Sequence, residues 1–177
     1  MTVHNRQEEH EKMGHETLPM MTYVIQVLTG TIGSIGFSIL FNIKGYKIAV
    51  GAVGGAVSWI VYLISFYRTD DVVTSMLIST MVVAALAETC ARICKTPVVI
   101  LLVPMLIPLI PGRDLYYTMQ HLVFGRMDRA AFYLQLVLKE AGAIAFGIIL
   151  LTFVTQFLQK TVHYFENKKK IIKHKIN

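Results

Sequence analysis

Charged residues are scarce in this sequence. Only 16% of its 177 residues are Asp, Glu, Lys or Arg, against about 25% in soluble domains. The charges separate five apolar blocks, at about residues 20–43, 46–66, 71–91, 97–111 and 130–158. A helix needs about 20 residues to cross the ~30 Å hydrocarbon core of a bilayer, and four of the blocks reach that length. The composition therefore excludes a soluble protein and predicts an all-α, polytopic membrane protein with four to five transmembrane helices.

Catalytic and metal-binding signals are also missing. The two cysteines, Cys90 and Cys94, stand one helical turn apart with no neighbouring histidine, which is half a zinc site at best. They are predicted to be small apolar residues in a reducing setting. Because the sequence shows no nucleophile beside a base, no phosphate-binding loop and no nucleotide motif, it predicts neither an enzyme nor a cofactor.

The two ends of the chain differ in charge. Residues 1–19 carry four glutamates against Arg6 and Lys12, whereas a secretory signal begins with positive charge, so the first apolar block is predicted to be a retained helix. The head is predicted to be disordered rather than a metal site, because its histidines fit no single helical face: His4, His10 and His15. Residues 20–159 are then the transmembrane domain.

The basic tail, residues 160–177, contains six lysines. Beside a membrane helix, such a tail is typical of a cytoplasmic anchor at anionic lipid rather than of a nucleic-acid patch. Counts of basic residues favour a cytoplasmic C-terminus with either four or five spans. The chain is thus predicted to be a multi-pass protein of the cell membrane, while the side on which its N-terminus lies stays open.

Glycines recur at helical spacing in the first two spans. The first span contains Gly30 and Gly33, and the second contains Gly51, Gly54 and Gly55. In membrane helices, small residues at this spacing let another helix approach closely. These glycines are predicted to be helix-packing positions, either within one chain or against a partner subunit.

Four charges near span ends have two interpretations each. Glu88 and Arg92 stand one turn apart in the order that favours a helical ion pair. Lys139 and Glu140 lie about a third of the way along the last block, either at the membrane edge or with one of them inside the bundle. The sequence favours the edge. The polar stretch 112–129 is predicted to be an external loop.

The block PVVILLVPMLIPLIPG, residues 97–112, has four prolines and no charge. Each internal proline costs a helix about 3 kcal/mol because it removes an amide donor and clashes with the preceding turn. We therefore expect a proline-broken or re-entrant segment, or a kinked helix extended back through Lys95. Interrupted helices hold substrates and ions in secondary transporters, so the substrate-path candidates are Pro104, Pro108, Pro111, Gly112 and Tyr116.

The run AETCARICKTPVVILLVPMLIPLIPGRDLYYTM resembles the signature of the smaller subunit of the bacterial threonine/serine exporter family. That pattern has an acid and an arginine ending a helix, lysine-x-proline, isoleucine-proline-x-x-proline-glycine and a later tyrosine. The matching residues are Glu88, Arg92, Lys95, Pro97, Ile107, Pro108, Pro111, Gly112 and Tyr116. FNIKGYKIAVGAVGGAVSWIVYLI is also similar, and the resemblance covers about residues 20–158. The head, the tail and the Lys139–Glu140 pair have no counterpart in it.

The resemblance implies a secondary transporter in the bacterial cytoplasmic membrane. It implies export of small polar amino acids, threonine and serine, driven by protons and performed together with a larger partner subunit. Related pairs are associated with dicarboxylates such as succinate, which leaves the substrate open. No nucleic acid is implied as a partner.

The roles of individual residues are hypotheses. An interrupted helix near Pro108 offers amides to the carboxylate of an amino acid and freed carbonyls to its ammonium group. Gly112 allows close backbone approach, and Tyr116 closes the site with an amphipathic ring. Glu88, with Arg92, is the candidate for proton coupling. The alternative is that the two form a permanent ion pair and that protons are handled by the larger subunit.

Two other classes of protein compete with the transporter subunit. A non-transporting structural or regulatory subunit would leave all substrate contacts to its partner. A self-sufficient homo-oligomeric channel is favoured by the small-residue faces alone. Substitutions at Pro108, Gly112 and Tyr116 separate the first two, because they alter selectivity in a transporting subunit and only assembly in a structural one.

Overall fold

The computed structural model describes residues 20–176, with side chains up to residue 157 and at Lys160. The head with its three histidines lies outside the described residues, as do most side chains of the basic tail. Within the described range the chain is helical, without strands. In chain order the elements are α1 (Met20–Leu40), α2 (Lys47–Thr69), α3 (Val72–Ile93), α4 (Val98–Leu106), a 3₁₀ turn (Ile107–Leu109), α5 (Gly112–Val123) and α6 (Met127–Ile176).

Four helical stretches are long and apolar enough to cross a membrane. These are α1, α2, α3 and the part of α6 from Met127 to Phe157. The stretch Val98–Leu109 and the helix α5 form a pair bent by 61°, which makes a fifth span if the pair counts as one. The prediction of an all-α protein with four to five spans, one of them broken, is confirmed.

The first three helices end in tight connections. Asn42, Asp70 and Lys95 have positive φ angles of 56°, 51° and 49° just after α1, α2 and α3. Asp71 then caps α3, because its carboxylate accepts a hydrogen bond of 2.8 Å from the Thr74 amide. With only two residues between them, α2 and α3 fold back on each other.

Hydroxyl groups join α2 and α3 where they pack. Thr69 Oγ1 lies 3.0 Å from Ser75 Oγ near the turn, and further along Ser79 Oγ donates to the Ser58 carbonyl at 2.6 Å. Ser58 and Ser79 are both fully buried. Serine suits such positions because it is small enough for close helix approach and satisfies its own hydroxyl on a backbone carbonyl.

The broken segment, residues 98–111, lies at the centre of the bundle. α4 packs against both α2 and α3, while the 3₁₀ turn packs against α1 and α2. Leu101, Met105 and Leu109, spaced by four residues, are fully buried. Leu101 and Met105 join a core cluster with α3, and Leu109 packs with residues of α3 and α6. The helices around the break therefore shield it, as its prolines require.

The polar stretch 112–129 corrects the predicted loop. Residues 112–123 form α5, which packs on α6. Its polar side chains at 114, 118 and 121 fall on one buried face, whereas Leu115, Met119 and Leu122 are exposed on the other. A helix that buries polar groups and exposes apolar ones is suited to lipid rather than to water.

Candidate functional site

The prolines divide the broken segment into steps. Pro104 lies inside α4, Pro108 lies in the 3₁₀ turn, and Pro111 directly precedes α5. Pro104 has no amide to donate to the carbonyl of Ile100, so the helical ladder is interrupted there. The chain then turns by 61° before Gly112 begins α5.

The predicted packing glycines meet this segment. We call Gly30 and Gly33 of α1 with Gly51, Gly54 and Gly55 of α2 the glycine face. A methyl group on Gly30 would lie 3.3 Å from Pro108 Cβ, and one on Gly33 would lie 3.6 Å from Ile107 Cγ2.

The glycines of α2 are packed more tightly. A methyl group on Gly51 would lie 3.0 Å from Ser38 Oγ and 3.4 Å from Pro104 Cβ. One on Gly54 would overlap the Met105 side chain, and one on Gly55 would overlap Ser34. The glycine face thus contacts side chains of its own chain, and two features that the sequence presents separately form one arrangement.

Gly112 and Tyr116 lie away from the glycine face. Gly112 is exposed, and a methyl group on it would meet nothing within 4 Å. Tyr116 is 62% exposed, and its ring packs edge-on against Tyr117 at 5.7 Å between centroids. The roles assigned to these two residues stay predictions.

Glu88 and Arg92 form an ion pair of 2.8 Å near the end of α3, with side chains 19% and 57% exposed. They line a groove of about 310 Å³ together with Ala85 and Thr89 of α3 and Thr155 of α6. We call it the charged groove. Because it presents one charge of each sign and two hydroxyl groups, it offers partners to both charged groups of an amino acid.

The structure also contains a polar cluster that the sequence did not reveal. Asp114, Thr118 and His121 of α5 are 6%, 3% and 8% exposed, and Glu140 of α6 is 7% exposed. One sequence signal could have indicated it: in residues 114–122 the polar and the apolar side chains recur at helical spacing on two opposite faces. The sequence does not reveal the cluster because the polar composition of residues 112–129 predicts a loop rather than a helix.

Asp114 is the centre of this cluster. Its side chain lies beside that of Glu140 and accepts a hydrogen bond from Arg113 Nε at 3.3 Å. Thr118 Oγ1 donates to the Asp114 carbonyl at 2.7 Å. Glu140 therefore lies inside the bundle and not at the membrane edge that the sequence favours, whereas Lys139 is exposed.

The comparison with protein families decides what kind of protein this is. Residues 26–154 match the family described as "Threonine/Serine exporter, ThrE", a range of 129 residues out of 177. The chain belongs to the threonine/serine exporter family. No significant match was found among curated proteins or among solved structures.

The match to the threonine/serine exporter family confirms the resemblance inferred from the sequence. The matched range contains the glycine face, the broken segment and the polar cluster. Together with the four to five candidate spans, it identifies a membrane protein of a transporter family. Apolar side chains on the outer surfaces of α1 and α6, such as Ile32 and Phe153, are exposed to the extent expected for contact with lipid.

Proposed function

We propose that this chain is the smaller subunit of a two-part, proton-driven exporter of threonine and serine in the bacterial cytoplasmic membrane, with a cytoplasmic C-terminus. The observation that carries the proposal is the contact of the broken segment with the glycine face. It combines an interrupted helix with surfaces on which that helix can shift. The two-subunit arrangement and the proton drive are supported by the resemblance of residues 88–116 to the smaller subunit of the family.

The contact suits a moving element. Side chains that interlock resist sliding, whereas glycine surfaces present little more than backbone to the neighbouring segment. Pro108 rests between Gly30 of α1 and Gly55 of α2. A shift of the broken segment across the glycine face would uncover the interrupted helix, including the carbonyl of Ile100. That carbonyl is a suitable acceptor for the ammonium group of an amino acid.

The charged groove supports an amino acid as the substrate. Arg92 suits a carboxylate and Glu88 an ammonium group, because each is the complementary charge. The hydroxyls of Thr89 and Thr155 donate to carbonyls of their own helices, so their lone pairs are left to accept from a substrate hydroxyl. Threonine and serine carry all three groups. We propose that the substrate first contacts the subunit here.

A larger partner subunit is supported by how tightly the break is packed. Leu101, Met105 and Leu109 are fully buried within this one chain, so its glycine face and broken segment are in contact without room for a substrate. A second subunit that draws the segment away from the glycine face would complete the passage. The exposed apolar surfaces of this chain leave area for such a subunit as well as for lipid.

The same packing favours a second candidate function, a non-transporting subunit that stabilises its partner. The two functions differ in what Pro108 does. In the exporter, Pro108→Ala changes the ratio of threonine to serine efflux while the complex still assembles. In a structural subunit it changes only the amount of complex, and the ratio of the substrates stays constant.

The test uses bacteria that lack their own exporters and express both subunits. Efflux of preloaded labelled threonine, serine and succinate is measured for the native pair, for Pro108→Ala and for Pro97→Ala. Pro97 is the matched control because it is an exposed proline before α4, outside the break. A changed substrate ratio in Pro108→Ala alone supports the proposal. Equal ratios in all three pairs, with altered complex yield, would assign the chain a structural function.

A further inference from the structure

A buried contact between two carboxyl groups lies between α5 and α6. Asp114 and Glu140 are 6% and 7% exposed, and their side chains lie beside each other. Carboxylate oxygens only accept hydrogen bonds. Two carboxyl groups that face each other away from water therefore form a hydrogen bond only when one of them carries a proton, and the contact is suited to hold one proton.

The charge around the contact fits one shared proton. Arg113 reaches Asp114 from the exposed side of α5, with its own side chain 83% exposed. With one proton, the two carboxyl groups carry a single negative charge opposite one guanidinium. Without it, two negative charges would face each other in a place where little water can screen them.

A second, independent observation is the state of His121. It is 8% exposed, and its Nδ1 atom is buried without a hydrogen-bond partner among the described residues. The residue lies two turns beyond Asp114 on the same buried face of α5, stacked on Tyr133 of α6 at 5.4 Å. A buried nitrogen without a partner is destabilising, so the polar cluster has hydrogen-bonding capacity that its own side chains do not use.

The polar cluster also touches the region of the break. Tyr62 of α2 lies close enough to Glu140, Asp114 and Arg113 to feel their charges. Tyr62 packs on the core cluster that contains Leu109, the last residue of the 3₁₀ turn. Tyr62 therefore lies between the carboxyl pair and the end of the broken segment.

We infer that Asp114 and Glu140 are the proton-binding site of the exporter, with Glu140 taking up and releasing the proton and Asp114, held by Arg113, as its hydrogen-bond partner. The inference deepens the proposed function and rests on proton-driven export. In the loading step an incoming proton bonds to a carboxylate oxygen of Glu140. In the release step that O–H bond breaks and the proton is transferred to water on the other side of the membrane, which leaves two negative charges facing each other between α5 and α6.

The surroundings of Glu140 name the groups that any pH dependence must consider. From α5 these are Asp114 and Arg113, with His121 two turns further along the same buried face, and from α2 the group is Tyr62. On α6 itself, Lys139 is exposed and lies near Asp71 at the start of α3. Glu88, the candidate chosen from the sequence, is instead paired with Arg92 in the charged groove.

The first experiment needs neither substrate nor partner. The infrared C=O band of protonated carboxylic acids is followed during pH titration of the purified full-length chain, for the native protein, Glu140→Gln and Asp128→Asn. Asp128 is the matched control, an exposed carboxylate in the first turn of the same helix. We expect the part of the band that persists towards neutral pH to be lost in Glu140→Gln alone. A band unchanged in Glu140→Gln would overturn the inference, whatever the chain transports.

The second experiment separates the proton site from the proposed function. Threonine exchange at equal pH and efflux against an imposed proton gradient are compared in cells with both subunits. Glu140→Gln is expected to retain exchange and to lose the acceleration by the gradient. If the gradient still accelerates its efflux, the inference fails. If the native pair moves no threonine, the proposed function fails, while the infrared result still decides the proton site. Asp114→Asn, expected to shift the band, covers the case in which Glu140→Gln does not fold.

Discussion

Gly55→Ala tests whether the glycine face brings α1 and α2 into contact. A methyl group at Gly55 would lie 2.8 Å from Ser34 Cβ and would also overlap Ser34 Oγ. Carbon atoms normally approach to about 3.5–4.0 Å, so α1 and α2 must separate by roughly 1 Å at this point. Such overpacking costs about 1–3 kcal/mol, offset in part by about 1 kcal/mol because alanine forms helices better than glycine.

The matched control for this variant is Gly36→Ala. A methyl group on Gly36 meets nothing within 4 Å, so the control gains the helix propensity without the clash. We expect the free energy of unfolding of Gly55→Ala to lie about 1–3 kcal/mol below that of Gly36→Ala. Ser34→Gly in the Gly55→Ala background should restore most of the loss, because it removes the atoms that clash.

The assay for Gly55→Ala is thermal unfolding of the purified chain in detergent, followed by tryptophan fluorescence. Trp59 is the only tryptophan in the sequence. It lies one turn beyond Gly55 on α2, and its Nε1 donates to Gln26 Oε1 of α1 at 3.4 Å, so its emission reports on the contact between the two helices. Equal melting of Gly55→Ala and Gly36→Ala would refute the close approach at Gly55.

Three further variants test the other contacts. Gly147→Ala places a methyl group 3.1 Å from Thr80 Cβ and 3.2 Å from the Leu77 carbonyl oxygen. It should lower the free energy of unfolding by about 1–3 kcal/mol relative to the control Gly142→Ala, whose methyl group meets nothing within 4 Å. Equal melting temperatures of the two variants would contradict the packing of α3 on α6. Asp71→Ala should lose about 1 kcal/mol of helix capping at neutral pH. Hydrogen bonds from Thr74 hold the pKa of Asp71 below its ordinary value, so this stabilisation is complete above the ordinary pKa and is lost as the pH falls through the lower pKa of the folded state. The difference in melting temperature between the native chain and Asp71→Ala should therefore shrink in acid. A difference that stays constant with pH would refute the assignment of Asp71 as the cap. Glu88→Gln should raise the threonine concentration needed for half-maximal efflux, because Glu88 is the proposed partner of the substrate's ammonium group. The pH dependence of efflux should stay, and its loss would return proton coupling to Glu88.

Much of the fold follows from the sequence because a bilayer imposes lengths and polarity. Four apolar blocks of sufficient length became the four candidate spans, and the prolines at 104, 108 and 111 produced the expected break. In each of these cases the cause lies within a few residues of its effect.

The polar cluster was not accessible in the same way. Asp114 and Glu140 are separated by a helix and a turn, and nothing local to either residue shows that they face each other. The stretch after Gly112 has the composition of a loop, and only its division into a buried polar face and an exposed apolar face indicates a helix. Likewise, the spacing of Gly51 and Gly55 predicts a close contact between helices but not that Pro104 and Pro108 of the broken segment take part in it.

The most direct test of the account is efflux of preloaded labelled threonine from bacteria that lack their own exporters, comparing this chain alone, the larger subunit alone and both together. Membrane levels of each chain are matched by quantitative blotting. The account predicts efflux only when both subunits are present, accelerated by a proton gradient directed into the cell. Full efflux from the larger subunit alone would contradict the proposal that this chain forms part of the transport path. Full efflux from this chain alone would contradict the two-part exporter and favour a homo-oligomeric channel.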